Sequence, residues 1–177
     1  MDKYIHDLKL KLVLAVDAPE KPEDRLDSLG KHVNAKSIES KDNLDIGGEI
    51  MILNGEGDKV QGEMINYSNY LIGLIKPKDE DVKISIMKTL DVSDPPIDPE
   101  YGKVSWESQL FEHLPFIAVV ANLTQLQSAS RYVESEVIAY LMREVTGDDI
   151  PFNKVEGIVI PKSNYVTKGD SFHADIF

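Results

Sequence analysis

The chain has no cysteine, so it can form neither disulfides nor thiolate metal sites. That leaves the compartment open, because cytosolic and periplasmic proteins alike can lack cysteine. Positive charge is scarce as well: 19 basic residues face 31 acidic ones, for a net charge of −12 over 177 residues. A surface this negative repels phosphate backbones and anionic lipid, which argues against nucleic-acid binding and membrane-surface docking. Long apolar runs are missing, since no stretch approaches the roughly 20 residues a transmembrane helix needs. The opening MDKYIHDLKLKLVLAV mixes acids and lysines and does not fit a signal peptide. If the protein works outside the cytoplasm, the segment that takes it there is expected outside this sequence. What the chain does have is hydrophobic residues, at 42%, enough for one domain with a sizeable core and no covalent staples.

Glycine is absent from the stretch that organises the rest, Pro115 to Val145, and its one proline sits at the start. Proline suits the first turn of a helix, where its missing N–H would have had no partner. Val119, Leu123, Leu126, Ser130, Val133, Val137 and Tyr140 recur at alternating steps of four and three. Phe116, Val120, Ile138, Leu141 and Val145 widen that seam. The period is that of a helix with one buried face, and at 1.5 Å per residue its length is roughly 45 Å. Gly147 is expected to end it in a left-handed conformation.

Upstream, Asp2 to Val16 reads as a helix with Ile5, Leu8, Leu12 and Ala15 on one face; starting so near Met1, it is expected to continue a longer natural helix. Residues 17 to 45 read as a long polar loop, within which Leu26, Leu29 and Val33 form one short amphipathic turn. Ile46 to Leu53 is too short and uniformly apolar for its pattern to separate helix from strand. Asn54-Gly55-Glu56-Gly57 is a turn, Asp58 a cap, and Lys59 to Lys76 a helix with Val60, Met64, Tyr67, Leu71 and Leu74 in one stripe, stopped by Pro77. Residues 79 to 92 fit both periods and lean to helix. Asp94-Pro95-Pro96-Ile97-Asp98-Pro99 is an extended loop. Trp106, Leu110 and Phe111 lead into the long helix and anchor its start.

After Gly147 the pattern changes. Val155, Ile158, Val159 and Ile160 make a β-rich run ending at Pro161; Tyr165-Val166 extends, Lys168-Gly169-Asp170 turns, and Phe172, Ala174 and Ile176 alternate with period two. This reads as the opening of an immunoglobulin-like sandwich, which needs about seven strands. The expected layout is thus a mainly α, helical bundle over 1–152 built around one long C-terminal helix, followed by a short β segment over 153–177. Two strands alone are marginal, so they are expected to pack on the helices or pair with another copy.

No group of residues has the spacing of a catalytic or metal site. His6, His32, His113 and His173 are scattered, with no metal-ligand spacing. Glu134 and Glu136 lie two apart on a helix and diverge, while Asp148-Asp149 follow a helix end as solvated acids do. Gly55-Glu56-Gly57 lacks the lysine and strand of a phosphate loop. Gly169-Asp170-Ser171 lacks the strand-to-helix elbow that exposes a nucleophile. Ser128 and Ser130 permit close helix approach, and Tyr67, Tyr70, Tyr132 and Tyr140 suit a core with polar tips. No catalytic, cofactor or metal residue is assigned, and no enzyme is expected.

FEHLPFIAVVANLTQLQSASRYVESEVIAYLMREV followed by FNKVEGIVIPKSNYVTKGDSFHADIF resembles the GldM/PorM family of gliding-motility and type IX secretion proteins. The resemblance is specific from about residue 106 to 177, through Trp106, Phe111-Glu112-His113, Leu123-Thr124-Gln125-Leu126-Gln127, Glu134-Ser135-Glu136-Val137, Phe152-Asn153-Lys154 and the Ile158-to-Tyr165 strand, and looser before that. It implies a non-enzymatic, force-transmitting first periplasmic domain, held at the inner membrane by a transmembrane helix outside this sequence. It also implies a homodimer, a GldL/PorL-like membrane partner and GldK/GldN-like periplasmic ring partners. The family's energy-coupling residues lie in the membrane helix, so none carries over. The competing reading is an extracytoplasmic helical sensor or ligand-binding domain, which needs a pocket between helices. A third is an accessory domain of an enzyme.

Overall fold

The computed structural model describes residues 1–17, 22–27, 33–97, 99, 102–146, 159–161 and 174–176. Its helices are α1 (Asp2–Asp17), α2 (Asp45–Gly48, continuing as a π turn over Glu49–Leu53), α3 (Glu56–Gly73), α4 (Glu80–Thr89), α5 (Trp106–Phe111) and α6 (Phe116–Thr146). A 3-10 turn covers Pro22–Arg25. Two compact units result, Met1–Leu141 and Met142–Phe177. The first is a helical bundle. In the second, β1 (Val159–Pro161) pairs antiparallel with β2 (Ala174–Ile176), Val159 opposite Ile176 and Pro161 opposite Ala174.

The seam of α6 is buried as its spacing predicts: Val119, Leu123, Val133, Val137 and Tyr140 lie at 5% exposure or less. They join Ile5, Leu8 and Leu12 of α1, Val60, Met64 and Leu71 of α3, and Ile86 of α4 in one core. The second row holds in part, with Leu141 partly buried against the core. Phe116 and Val120 are buried, but Ile138 is 51% and Val145 86% exposed. At its start α6 is bracketed from two sides: Phe116 and Ile117 donate their N–H groups to the Asn43 and Lys41 carbonyls, and Asn122 Nδ2 reaches the Leu110 carbonyl. Those loop carbonyls satisfy donors that have no partner within the helix. Trp106 and Phe111 anchor this end in the core, edge to face at 5.8 Å.

Elsewhere packing settled what pattern left open or misjudged. Ile46–Leu53 is helical. Residues 80–89 are helical because Ile86 and Leu90 are buried while Ile84 is exposed, a period of four rather than two. Helix α3 starts at Glu56, ahead of the expected Asp58 cap. Gly55 takes φ 69°, a turn glycine makes without steric cost, and Asp58 sits instead in the first turn, favourably placed against the helix dipole. Leu74, expected in the α3 stripe, is 38% exposed, and Ile75 is buried in its place, because the last turn tightens through Leu74 N–H to Leu71 O and Ile75 N–H to Ile72 O bonds. On α1, Ala15 is exposed and Val13 buried. Leu26 and Val33 do not share a helical turn: they face each other across an antiparallel bridge. Leu29, Gly147, Asp148, Asp149, Val155, Ile158, Tyr165, Val166, the 168–170 turn and Phe172 lie outside the described residues.

Candidate functional site

Lys9 stands on the buried face of α1, one residue past Leu8, and is itself 5% exposed. Its ammonium donates to Gln127 Oε1 at 2.6 Å and to Thr124 Oγ1 at 3.2 Å. Gln127 turns its amide the other way, to Asp2 Oδ1 at 2.7 Å and to the Asp2 carbonyl at 3.2 Å. Arg131 completes the row with a forked pair to Asp2, 2.6 Å from Nε and 3.0 Å from Nη2. Partner numbers fall along α6 as they rise along α1, so the two helices run antiparallel. Burial holds the Lys9 ammonium below its usual lysine value, with the Arg131 charge adding and the Asp2 charge opposing. The Arg131 hydrogen bond lowers Asp2.

A second polar cluster fastens the loop to the end of α1. The Asp17 carboxylate, fully enclosed, accepts from the N–H groups of Glu39 and Ser40, both at 3.0 Å, and from Arg25 Nε at 3.0 Å. Arg25 also donates to Glu39 Oε1 at 2.7 Å. Burial pushes the Asp17 carboxyl up, but those backbone donors and the Arg25 charge outweigh it and leave it lowered. Near the far end of the bundle the Tyr140 hydroxyl donates to Asp79 Oδ2 at 2.7 Å and accepts from the Lys76 N–H at 3.2 Å. That is the polar-tipped core tyrosine expected of this position; Tyr70 and Tyr132 are exposed instead.

The histidines among the described residues are not brought together. His6 lies on α1, and His113 sits in the turn between α5 and α6, its side chain 90% exposed and its Nε2 3.7 Å from Glu112 Oε1. No metal-binding group of three or more His, Cys, Asp or Glu occurs among the described residues. Glu134 is exposed and Glu136 accepts from the Ser85 hydroxyl at 3.2 Å; His32, His173, Asp148, Asp149 and Ser171 fall outside the description. Ser130 is buried, its hydroxyl on the Leu126 carbonyl and 3.6 Å from Met64 Sδ, so it serves packing as the pattern implies. Clefts of about 310 Å³ beside α3 and α4 and about 460 Å³ beside α2 and the α5–α6 turn open on the surface. Among the described residues no helix is long and apolar enough to cross a membrane.

Pattern reading missed the Lys9–Gln127–Asp2–Arg131 row. Its one signal was a lysine and a glutamine placed on otherwise apolar helix faces, and such residues are usually solvated.

A helical bundle organised on one long helix, with polar rows joining its helices, is the class of domain these observations define. The family model for the GldM N-terminal domain matches residues 1–144, and the chain belongs to that family, as its helical first domain. Membership places it among components of the gliding-motility and type IX secretion machinery. The match takes in all of α1 to α5 and α6 as far as Glu144, including the first hundred residues, where the resemblance is looser; residues 145–177 lie outside it. No curated protein matches the chain.

Proposed function

We propose that this chain is a non-enzymatic, structural domain that carries force through the periplasm as part of a GldM/PorM-like stalk. On this reading a transmembrane helix outside these residues holds it at the inner membrane. It works as a homodimer, with a GldL/PorL-like membrane partner at one end and GldK/GldN-like ring components at the other. Residues 153–177 begin an immunoglobulin-like sandwich that further sequence or a second copy completes.

The observation that carries the reading is α6 itself, helical without interruption from Phe116 to Thr146. The Lys9–Gln127 and Asp2–Arg131 bonds tie it to α1. A continuous helix passes displacement along its axis, whereas a loop absorbs it. The ligand-binding alternative calls for an enclosed cavity between helices; the larger cleft described above is instead bordered by Leu53 at 82% exposure.

The test is a short Gly-Gly-Ser-Gly insertion after Val145 in the full-length protein, beyond the Met1–Leu141 unit. Type IX secretion and gliding are expected to stop while the protein accumulates and still captures its partners. Normal secretion through the flexible insertion would sink the force-bearing role. Light scattering of the chain is expected to show self-association, and a clean monomer at high concentration would count against the dimer.

A further inference from the structure

The cleft of about 460 Å³ between α2 and the α5–α6 turn combines apolar walls with acidic edges. Leu44, Ile52 and Leu53 supply the walls, and Asp45, Glu49 and Glu112 supply the edges, with no lysine or arginine lining it. Leu53 is 82% and Leu44 51% exposed, so two large aliphatic side chains stand in water beside an open trough. Two departures from regular backbone hold the rim in shape. Glu49–Leu53 is a π turn, which displaces successive side chains from ordinary helical positions. His113 is a non-glycine residue at φ 52°, a conformation kept only where its surroundings impose it.

We propose that this cleft is a docking site for a cationic polypeptide segment of a partner protein, one that seats a large apolar side chain between Leu44 and Leu53 and sets flanking Lys or Arg against Glu49 and Glu112. At about 460 Å³ the open trough has room for one or two such side chains. Charge decides the occupant. An anionic bilayer would meet three carboxylates and a chain of net charge −12, whereas a basic segment gains at each edge and is steered toward it. The proposal stands independently of the force-bearing reading, because it concerns a surface and not the stiffness of α6.

The probe is a short amidated amphipathic peptide of leucine and lysine, titrated into the isotope-labelled 177-residue chain at physiological ionic strength and followed by NMR, with its glutamate-for-lysine counterpart alongside. Saturable shifts are expected at Leu44, Glu49, Leu53 and Glu112, and none with the acidic counterpart. Leu53→Ser and Glu49→Lys, both at exposed positions, should each weaken binding about tenfold, as the loss of a central anchor does. Glu134→Lys, roughly 27 Å along α6 from Phe116, should change it less than about twofold, since exposed charges at that range are screened. Equal weakening by Glu134→Lys would reduce the effect to diffuse charge and overturn the site. So would an undiminished affinity in Leu53→Ser, or the same shifts appearing on concentrating the chain without peptide, which would make a second copy the occupant.

Discussion

Lys9 Nζ and Gln127 Oε1 are 2.6 Å apart although 118 residues separate them in sequence. The bond joins α1 to α6 through the most enclosed cation among the described lysines, 5% exposed. Apolar contacts between two helices tolerate a slide; a hydrogen bond of this length does not. The row from Lys9 to Arg131 therefore fixes the register of α1 on α6.

That arrangement sets a stability cycle. Gln127→Leu leaves the Lys9 ammonium buried with one remaining acceptor and should cost about 2 kcal/mol, the scale of a hydrogen bond to a charged group. Adding Lys9→Met removes the buried charge, and the double variant should recover at least about 1 kcal/mol of that loss. Urea unfolding of the four proteins measures both. A double variant no more stable than Gln127→Leu would mean that the ammonium is not enclosed as described.

The face of α6 can be tested with one charge in two places. Val133 is fully buried, and Val133→Asp puts an unpaired carboxylate in the core, at a cost of several kcal/mol that should leave the domain unfolded at 25 °C. Ile138 is half exposed, and Ile138→Asp should change stability by less than about 0.5 kcal/mol. Circular dichroism melts separate the outcomes, and native melting by Val133→Asp would show that the seam is misplaced.

Two glycines should respond in opposite senses to alanine. A Cβ on Gly57 would lie 2.8 Å from the Met51 carbonyl oxygen and 2.8 Å from Glu107 Cβ, so backbone would have to move; Gly57→Ala should cost about 1–3 kcal/mol, as overpacking does. Gly48 has open space around its Cβ position, and Gly48→Ala should gain about 0.5–1 kcal/mol from the lower entropy of the unfolded chain. Chemical denaturation midpoints decide it.

Acid stability follows from the lowered carboxylates Asp2, Asp17 and Glu56. Each holds its proton more weakly folded than unfolded, so its contribution is complete above the ordinary carboxylate range near 4 and is lost as pH falls through the lowered folded value. Asp17→Asn should remove part of that dependence and flatten the acid limb of a stability-versus-pH curve. Lys9 acts at the other end. Its lowered ammonium means the unfolded chain binds more protons between that folded value and the ordinary 10.5, so Lys9 contributes a rise in stability with pH through that window, and Lys9→Met should remove that contribution. An acid limb unchanged in Asp17→Asn would contradict the enclosed position of that carboxylate.

Much of the bundle was legible in the chain itself. The existence of the long helix expected over 115–145, of the helices expected over 2–16 and 59–76, and of the breaks at Pro77 and Pro95-Pro96 follows from local causes: apolar residues at the helical period, and prolines that cannot donate. Where periodicity was short or mixed, at Ile46–Leu53 and 79–92, neighbours decided, because the same apolar residues satisfy either geometry until something covers one side. What the sequence by itself determined is which face of each long helix avoids water. Only the tertiary structure decided which helix answers which face, and so placed Lys9 on Gln127, Asp17 under the Glu39 and Ser40 amides, and Leu53 at the edge of an acidic cleft. The physical reason is reach: burial preference is a property of each residue in its own helix, whereas a hydrogen-bond partner a hundred residues away exists only once the chain has packed.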